Sequence, residues 1–174
     1  MITADELAII VPYAKALIPD IIGPLNEATY TYGIQDTPIR EAMFVAQVAH
    51  ESGSFRYTKE IASGEAYDGR QDLGNVERGD GVRFKGRGYI QITGRANYKA
   101  CGEALGLDLI EHPEFLESIE NACRSAAWFW YIKGLNQIAD KGDFLTITKR
   151  INGGTNGWKE RMAFFDRAKQ VLGC

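Results

Sequence analysis

The stretch QVAHESGSFRYTKE, residues 47–60, is the part of the sequence that predicts most about the fold. The segment REAMFVAQVAHES, which ends inside it, is apolar on nearly every side, and this predicts a helix buried in the core. Glu51 continues an apolar stripe of helical spacing near the end of that helix. Glu60 lies nine positions further on, beyond Gly53, where the helix is expected to end.

These two glutamates are candidates for an acid and a base. A carboxyl group among apolar side chains keeps its proton more readily, whereas one in a polar, hydrated place stays ionised. Two such groups facing one cleft can hydrolyse a glycosidic bond, with Glu51 as the acid and Glu60 as the base. The alternative for Glu51 is a helix-end residue that points to solvent or pairs with an arginine. His50 beside it is interpreted as a hydrogen-bonded structural histidine.

Length and composition predict a single domain, 1–174, with its own core. The chain is 45% hydrophobic and 25% charged, which is ordinary for a soluble globular protein. Residues 124–174 hold nine basic and four acidic side chains, a net +5, against 11 and 19, a net −8, in the first 123. A basic C-terminal third suits binding to an anionic polymer, or it is simply a solvated surface. Nothing in the sequence predicts binding to nucleic acid.

Cysteine spacing and the N-terminal segment indicate where the chain folds. Cys101, Cys123 and Cys174 match neither a disulfide framework nor a metal site, so folding in a reducing cytoplasm is expected. Proline and charged residues interrupt the apolar segment 7–22, which therefore predicts neither a signal peptide nor a stable membrane insertion. The aromatic run 128–130 is interpreted as core packing, because its residues lie on adjacent positions of an apolar helix.

Capping and glycine signals predict a mainly helical chain. Thr3 and Glu6 have the spacing of a capping box, and Pro24 and Pro38 suit the first turn of a helix. The predicted helices span about 4–17 with a bend at Pro12, 24–33, 38–52, 94–105, 119–133, 143–151 and 160–172, with a helical turn at Pro113.

The long segment between these helices is glycine-rich and is predicted to be a functional loop, residues 62–88. Its acidic side chains are alternatives to Glu60 as the base: Glu65, Asp68, Asp72, Glu77 and Asp80.

The segment VRFKGRGYIQITG, residues 82–94, overlaps the end of that loop. It alternates in side-chain character, which predicts a short hairpin. Ile90 and Ile92 are expected to face the core together. Gln91 and Thr93 are then presented on the opposite face, which suits the polar wall of a cleft.

Four segments in this order resemble glycoside hydrolase family 19, the chitinase-like lysozymes, especially the phage endolysin branch. They are AQVAHESGSF at 46–55, GDGVRFKGRGYIQITGRANY at 79–98, AAWFW at 126–130 and INGG at 151–154. The resemblance covers roughly residues 24–172. It implies a mainly α (α+β) fold, a lysozyme-like bundle of about seven to nine helices with a small β-hairpin beside the active-site cleft.

The resemblance also implies roles for individual residues. Glu51 matches the general acid, Glu60 matches the base that activates water, and Thr93 matches the residue that helps to hold that water. Gln91, Tyr98 and Asn152 match sugar-contacting positions, and Tyr89 is a further candidate for substrate binding. Arg161 matches an arginine that pairs with the acid, and His50 is a supporting residue.

One departure from the family pattern affects the acid. Plant chitinases carry a further acidic residue shortly after INGG, where this chain has Thr155-Asn156-Gly157. The environment of Glu51 is therefore expected to differ in detail. The segment from Glu60 to Gly79 is also short for the family.

The function implied is an inverting hydrolase of β-1,4-linked N-acetylated amino sugars that needs no metal or organic cofactor. Bacterial peptidoglycan is the favoured substrate, in a monomeric endolysin without a separate wall-binding module. Such an enzyme waits in the host cytoplasm, leaves it through a holin and acts in the periplasm on the cell wall. A chitinase is the close alternative, and a non-catalytic glycan-binding module is the alternative from another class.

Overall fold

The computed structural model describes all 174 residues as a mainly helical protein. Nine α-helices follow one another: α1 (Ala4–Ile10), α2 (Ile18–Thr31), α3 (Pro38–Glu51), α4 (Asp80–Arg83), α5 (Arg95–Leu105), α6 (Ile119–Ile132), α7 (Leu135–Ala139), α8 (Phe144–Asn152) and α9 (Trp158–Leu172). Shorter 3-10 turns lie at Pro12–Ala14, Glu65–Tyr67, Gln71–Leu73 and Pro113–Glu117. None of the helices combines the length and the apolar composition that a membrane span requires.

Helix α3 is the centre of the bundle, as predicted. It begins where Thr37 caps it, with the threonine hydroxyl accepting a hydrogen bond from Arg40 N at 3.4 Å and with Pro38 in the first turn. Every residue from 41 to 49 is buried. The helix packs along its length against α9, and Phe44 meets Trp130 of α6 edge to face at 5.4 Å.

Two predicted helices at the N-terminus have different bounds in the structure. The helix predicted over 4–17 ends at Ile10, because Pro12 starts a separate 3-10 turn. Helix α2 begins at Ile18, with Pro19 in its first turn, and it continues through Pro24 instead of starting there. Pro24 removes one backbone hydrogen bond from the helix, and burial of the apolar face of α2 compensates for that loss. The predicted capping box of Thr3 is confirmed.

The predicted hairpin of residues 82–94 is reduced to isolated antiparallel bridges. Arg87 pairs with Ile92, and on its other side Arg87 pairs with Lys59. Residues 88–91 between the paired positions form a turn, which leaves no room for regular strands. The result still joins the segment around Glu60 to the segment around Gly86 through backbone hydrogen bonds, including Glu60 N to Gly86 O at 2.8 Å.

The core consists of two hydrophobic clusters, a larger and a smaller one. The larger cluster holds α3 together with the inner faces of α1, α2, α6 and α9. The smaller cluster lies around Phe84 and α5. Ile90 and Ile92 are both buried, as predicted, but they pack in different clusters: Ile90 in the larger one and Ile92 in the smaller one. The segment between them therefore crosses the boundary between the clusters.

Most residues predicted to be buried in the core are found there. Trp128 and Trp130 are buried, as are the free thiols of Cys101 and Cys123, whereas Phe129 is half-buried. Burial raises the pKa of both thiols to about 12, so they stay protonated and behave as small apolar side chains.

Candidate active site

Glu51, the last residue of α3, forms an ion pair with Arg161 in the first turn of α9. The guanidinium is 1% exposed, whereas the Glu51 side chain is 21% exposed. Because α3 and α9 pack together, the end of one helix lies beside the beginning of the other. Glu51 therefore borders solvent on one side and has a buried cation on the other. Its nearest partner is this arginine rather than an apolar wall.

The other donors of Arg161 are satisfied by neutral acceptors. One terminal nitrogen donates to Gln47 Oε1, and Nε donates to the backbone oxygen of Asn156 at 3.0 Å. Gln47 in turn donates from Nε2 to Thr148 Oγ1 at 2.7 Å. Gln47 and the Asn156 carbonyl are thus the neutral acceptors of Arg161, and Glu51 is the one carboxylate paired with it. A lone glutamine, one helical turn before Glu51, was the signal that could have identified this contact.

A second pair of polar side chains joins the same helix ends. His50 Nδ1 lies 2.5 Å from Glu160 Oε2, so the neighbours of Glu51 and Arg161 also meet. The imidazole packs against Gly157, where a β-carbon would collide with the ring and φ is +71°. These contacts are those of a hydrogen-bonded structural histidine that holds α3 against α9.

The turn that follows Glu51 has an unusual backbone. Gly53, Ser54 and Phe55 have φ values of 58°, 66° and 64°, so three consecutive residues are left-handed. Ser52 stabilises the turn, since its hydroxyl donates to Val48 O at 2.6 Å and accepts from Phe55 N at 2.8 Å. Left-handed non-glycine residues are strained, and they persist only where the surrounding structure fixes them. The turn thereby fixes the path of the chain from the acid towards Glu60.

Glu60 is held by one donor on each carboxylate oxygen. Tyr67 Oη donates to Oε1 at 2.9 Å, and Gly86 N donates to Oε2 at 2.9 Å. Burial raises the pKa of Tyr67, and its hydrogen bond to Glu60 raises that pKa further, so the phenol remains a donor. No cation forms a salt bridge with Glu60, in contrast to Glu51.

Gly86 brings Glu60 and Gln91 together. A β-carbon at Gly86 would collide with Gln91 Oε1 and would lie 3.1 Å from Glu60 Oε2, so both oxygens border the same small volume. Gln91 donates to Gly88 O at 3.1 Å, and Thr93 Oγ1 donates to Gln91 O at 3.0 Å. The predicted pairing of Gln91 and Thr93 on one wall is found, and this wall adjoins Glu60.

Gln91 and Thr93 line a cavity of about 160 Å³. Asn97 is exposed at its edge and donates to Thr93 O at 2.7 Å. The sequence prediction missed Asn97, although its position one helical turn after Thr93 was a signal for it. The full lining is Leu73, Gln91, Ile92, Thr93, Asn97, Trp128, Phe129, Ile132 and Lys133.

Tyr89 and Tyr98 are not placed for the predicted contact with a sugar. Both are fully buried, because Tyr89 packs edge to face on Phe55 and Tyr98 packs in the smaller cluster. Tyr98 Oη donates to Lys85 O at 2.5 Å and accepts from Arg87 at 3.0 Å. Burial raises the pKa of both phenols. The two tyrosines are part of the core under the cleft residues, so the expectation that they contact the sugar directly is wrong.

Asn152 is half-buried beside the acid. Its Nδ2 donates to Asn156 O at 3.0 Å, the same carbonyl that accepts from Arg161, and its Oδ1 accepts from Gly154 N at 2.8 Å. Asn152 thus contributes to the turn that holds Arg161, and its role in binding a sugar stays a prediction.

Four of the five rival carboxylates have structural partners. Asp80, 2% exposed, binds Arg95 and the backbone NH groups of residues 76 and 77, and the Arg95 hydrogen bonds lower its pKa. Glu77 pairs with the same arginine, Asp72 pairs with Arg70, and Asp68 accepts from the NH groups of Gly79 and Gly81. Glu65 is exposed. Glu60, unlike these five rivals, borders Gly86 and Gln91.

Comparison with known proteins identifies the family of the chain. Residues 30–146 match the family model of glycoside hydrolase family 19, described as chitinase class I. The chain belongs to glycoside hydrolase family 19. A family 19 domain-containing protein of Haemophilus influenzae is 30% identical over 158 residues, which cover 73% of this chain and 77% of that protein.

A plant relative and a solved structure extend the comparison. Endochitinase At2g43620 of Arabidopsis thaliana is 40% identical over 132 residues, 75% of this chain but 45% of the plant protein. The chain thus spans less than half the length of this curated relative. Chitinase C from Streptomyces griseus has the same fold, with a TM-score of 0.77 at 24% identity over 98% of this chain and 76% of that chain.

Family membership classes the chain as a chitinase-like glycoside hydrolase. The matched region contains Glu51, Glu60, Gln91 and Thr93, whereas Arg161 lies beyond it. The pairing of Arg161 with the acid therefore rests on the geometry of α3 and α9.

Proposed function

We propose that this protein is an endolysin that hydrolyses the β-1,4 bond between N-acetylmuramic acid and N-acetylglucosamine in bacterial peptidoglycan. The observation that carries the proposal is the unequal setting of the two glutamates. Glu51 has a buried cation as its partner, whereas Glu60 is held by neutral donors beside Gln91. The two carboxyl groups thus differ in their partners, and the roles of acid for Glu51 and base for Glu60 are assigned from the family resemblance.

The reaction proceeds by a single displacement with inversion. Glu51 donates its proton to the glycosidic oxygen as the bond to the anomeric carbon breaks, and the leaving sugar departs as an alcohol. Water attacks the anomeric carbon from the opposite face while Glu60 accepts its proton. Thr93 helps to hold that water. Arg161 stabilises the carboxylate left on Glu51. After the products leave, Glu51 takes up a proton from water and Glu60 releases the proton that it accepted, which restores both groups for the next cycle.

The charge of the chain supports peptidoglycan as the substrate. Peptide stems make peptidoglycan anionic, whereas chitin is neutral, and residues 124–174 carry a net +5. Chitin remains the second candidate, because the Arabidopsis relative and the Streptomyces structure are named chitinases.

The cellular setting belongs to the same proposal. The enzyme is a monomer that is made in the host cytoplasm, crosses the inner membrane through a holin and attacks the cell wall from the periplasm. Lysis of the host then follows from loss of the glycan network.

The deciding experiment compares two polymers with the purified protein. Peptidoglycan sacculi of the diaminopimelate type and chitin hexasaccharide would be digested under identical conditions. We expect faster release of reducing ends from the sacculi, with reduced muramic acid as the product after borohydride treatment. Faster hydrolysis of chitin would establish the chitinase instead. Binding to sacculi with no release of reducing ends from either polymer would establish a non-catalytic glycan-binding module.

A further inference from the structure

The cavity beside Gln91 and Thr93 has a cation at its rim that the reaction does not use. Lys133, which follows the last residue of α6, is exposed and lines this cavity. Its ammonium lies 5.5 Å from the centre of the Phe129 ring, which also lines the cavity. Lys133 forms no salt bridge with any carboxylate.

A second free cation lies behind Lys133. Arg150 on α8 donates from its Nη1 to the backbone oxygen of Lys133 at 2.9 Å, and it too forms no salt bridge. Both positions suit the negative end of the α6 dipole, which accounts for their stability there. The dipole does not explain why the lysine head group lies at the rim of this cavity, which shares Gln91 with the catalytic cleft.

We propose that Lys133 pairs with a carboxylate of the peptide stem when the cavity beside Gln91 and Thr93 holds part of the glycan. The inference rests on the proposed function, since it selects a glycan whose alternate sugars carry anionic peptides. Lys133 is then a specificity residue that favours peptidoglycan over neutral chitin.

The size and lining of the cavity fit a sugar inside the cavity and a peptide stem outside it at Lys133. A volume of about 160 Å³ is below the range of about 300–1,000 Å³ of pockets that enclose a whole small ligand. It therefore accepts one part of a sugar and leaves the substituents outside. Trp128, Phe129 and Ile132 supply apolar surface, while the polar groups and Lys133 border the opening. An anionic stem that leaves the sugar towards solvent meets Lys133 without being buried.

The experiment measures kcat/KM on sacculi and on chitin hexasaccharide and compares the ratio between variants. We expect Lys133→Gln to lower the ratio of sacculi to chitin about two- to fivefold, as for loss of an exposed ion pair. Lys133→Glu should lower it about tenfold, because repulsion replaces attraction. Lys133→Arg should restore the wild-type ratio. The ratio should also fall with added salt in the wild type and less steeply in Lys133→Gln.

Lys141→Glu is the matched control. Lys141 is exposed and follows Asp140, which pairs with Arg40 near the start of α3, at the other end of the helix from Glu51. This variant changes the net charge by the same amount and should leave the ratio unchanged. Sacculi whose stem carboxylates have been converted to neutral amides should lose most of the difference between wild type and Lys133→Glu.

Two results would overturn the inference, and they differ from each other. If the wild type cleaves sacculi and Lys133→Glu has the same ratio as Lys141→Glu, Lys133 does not select the substrate and the proposed function stands. If the wild type cleaves chitin but not sacculi, the proposed function is wrong and the inference is wrong with it.

Discussion

Arg161 and Glu51 are 110 residues apart in the sequence and form an ion pair in which the arginine is buried and the glutamate borders solvent. The arginine is fixed by Gln47 and by a carbonyl of residue 156 before it meets the acid. An acid whose partner is already held in place does not need to be ordered when the substrate arrives, and such pre-organisation lowers the barrier of the chemical step.

Replacement of Glu51 by Gln removes the proton donor while it preserves the size of the side chain. We expect kcat on the preferred polymer to fall about 10²–10⁴-fold. The measurement is the release of reducing ends, with circular dichroism and thermal unfolding to establish that the fold persists. Wild-type activity in a folded Glu51→Gln protein would exclude Glu51 as the acid.

Replacement of Glu60 by Gln tests the base against its rivals. The expected loss of kcat is again about 10²–10⁴-fold, because the attacking water loses its proton acceptor. Glu65→Gln is the matched control, since Glu65 is exposed and lies in the same loop. Full activity in Glu60→Gln together with loss in Glu65→Gln would transfer the role to Glu65. NMR of the first product should show inverted anomeric configuration.

Arg161→Met should reduce both stability and activity. It leaves Gln47 and a backbone carbonyl without their donor, and a buried polar group left unpaired costs roughly 1–3 kcal/mol of unfolding free energy. The partly exposed Glu51 also loses its cation. Urea denaturation measures this loss. Arg78→Met is the control: Arg78 is exposed, so its removal should change stability by less than about 0.5 kcal/mol. Equal stabilities of the two variants would contradict the role given to Arg161.

Gly86→Ala should impair activity more than stability. The new methyl group would displace Gln91 Oε1 and crowd Glu60 Oε2, and both are ends of flexible side chains that can move. Misplacement of catalytic groups by about 1 Å costs on the order of 10²-fold in rate. Gly23→Ala is the comparison, because Gly23 lies inside α2 with open space around it. This variant protein should be more stable than the wild type by about 0.5–1 kcal/mol. Unchanged kcat/KM in Gly86→Ala would show that the two oxygens need not be held so closely.

The loop before the cleft should lose stability in acid through Asp80. Arg95 lowers the pKa of Asp80 below its ordinary value of 3.8, so the stabilisation is complete above about pH 4 and is lost as the pH falls below it. Asp80→Asn should be less stable than the wild type by about 1.5–3 kcal/mol at pH 7, the range for hydrogen bonds to a charged group. Urea unfolding at pH 7 and pH 3 measures both proteins. A gap that did not narrow at pH 3 would exclude this linkage.

Periodicity was enough to predict α3, which carries the acid, and α9, which carries its arginine, because each has a buried stripe. Helix α3 also has its start signals at Thr37 and Pro38. The start of α2 was predicted wrongly, since the local preference of Pro24 was outweighed by tertiary packing of the helix. Helix α7, five residues long, is too short for a periodic pattern and was not predicted.

Residue types identified the chemistry of the site better than alternation predicted its geometry. Glu60, Gln91 and Thr93 lie together, but the segment that carries two of them is a turn and not a strand. A period of two has no meaning in a turn, so alternation could not place the side chains of this segment. Tyr98 was expected to contact the sugar because of the resemblance, and Tyr89 was a further candidate, but tertiary packing buries both. The contact of Gln47 with Arg161 depends on how α3 meets α9, which no local pattern specifies.

The boundary between the two hydrophobic clusters has a consequence for motion. Glu51 ends a helix of the larger cluster, whereas Glu60 is bonded to Gly86, two residues from Phe84 of the smaller one. Ile90 and Ile92 anchor one short segment in both. Any rocking of the smaller cluster against the larger would therefore widen or narrow the gap between acid and base. The separation of acid and base, about 6.5–9.5 Å in inverting enzymes, would then depend on how the two clusters pack against each other.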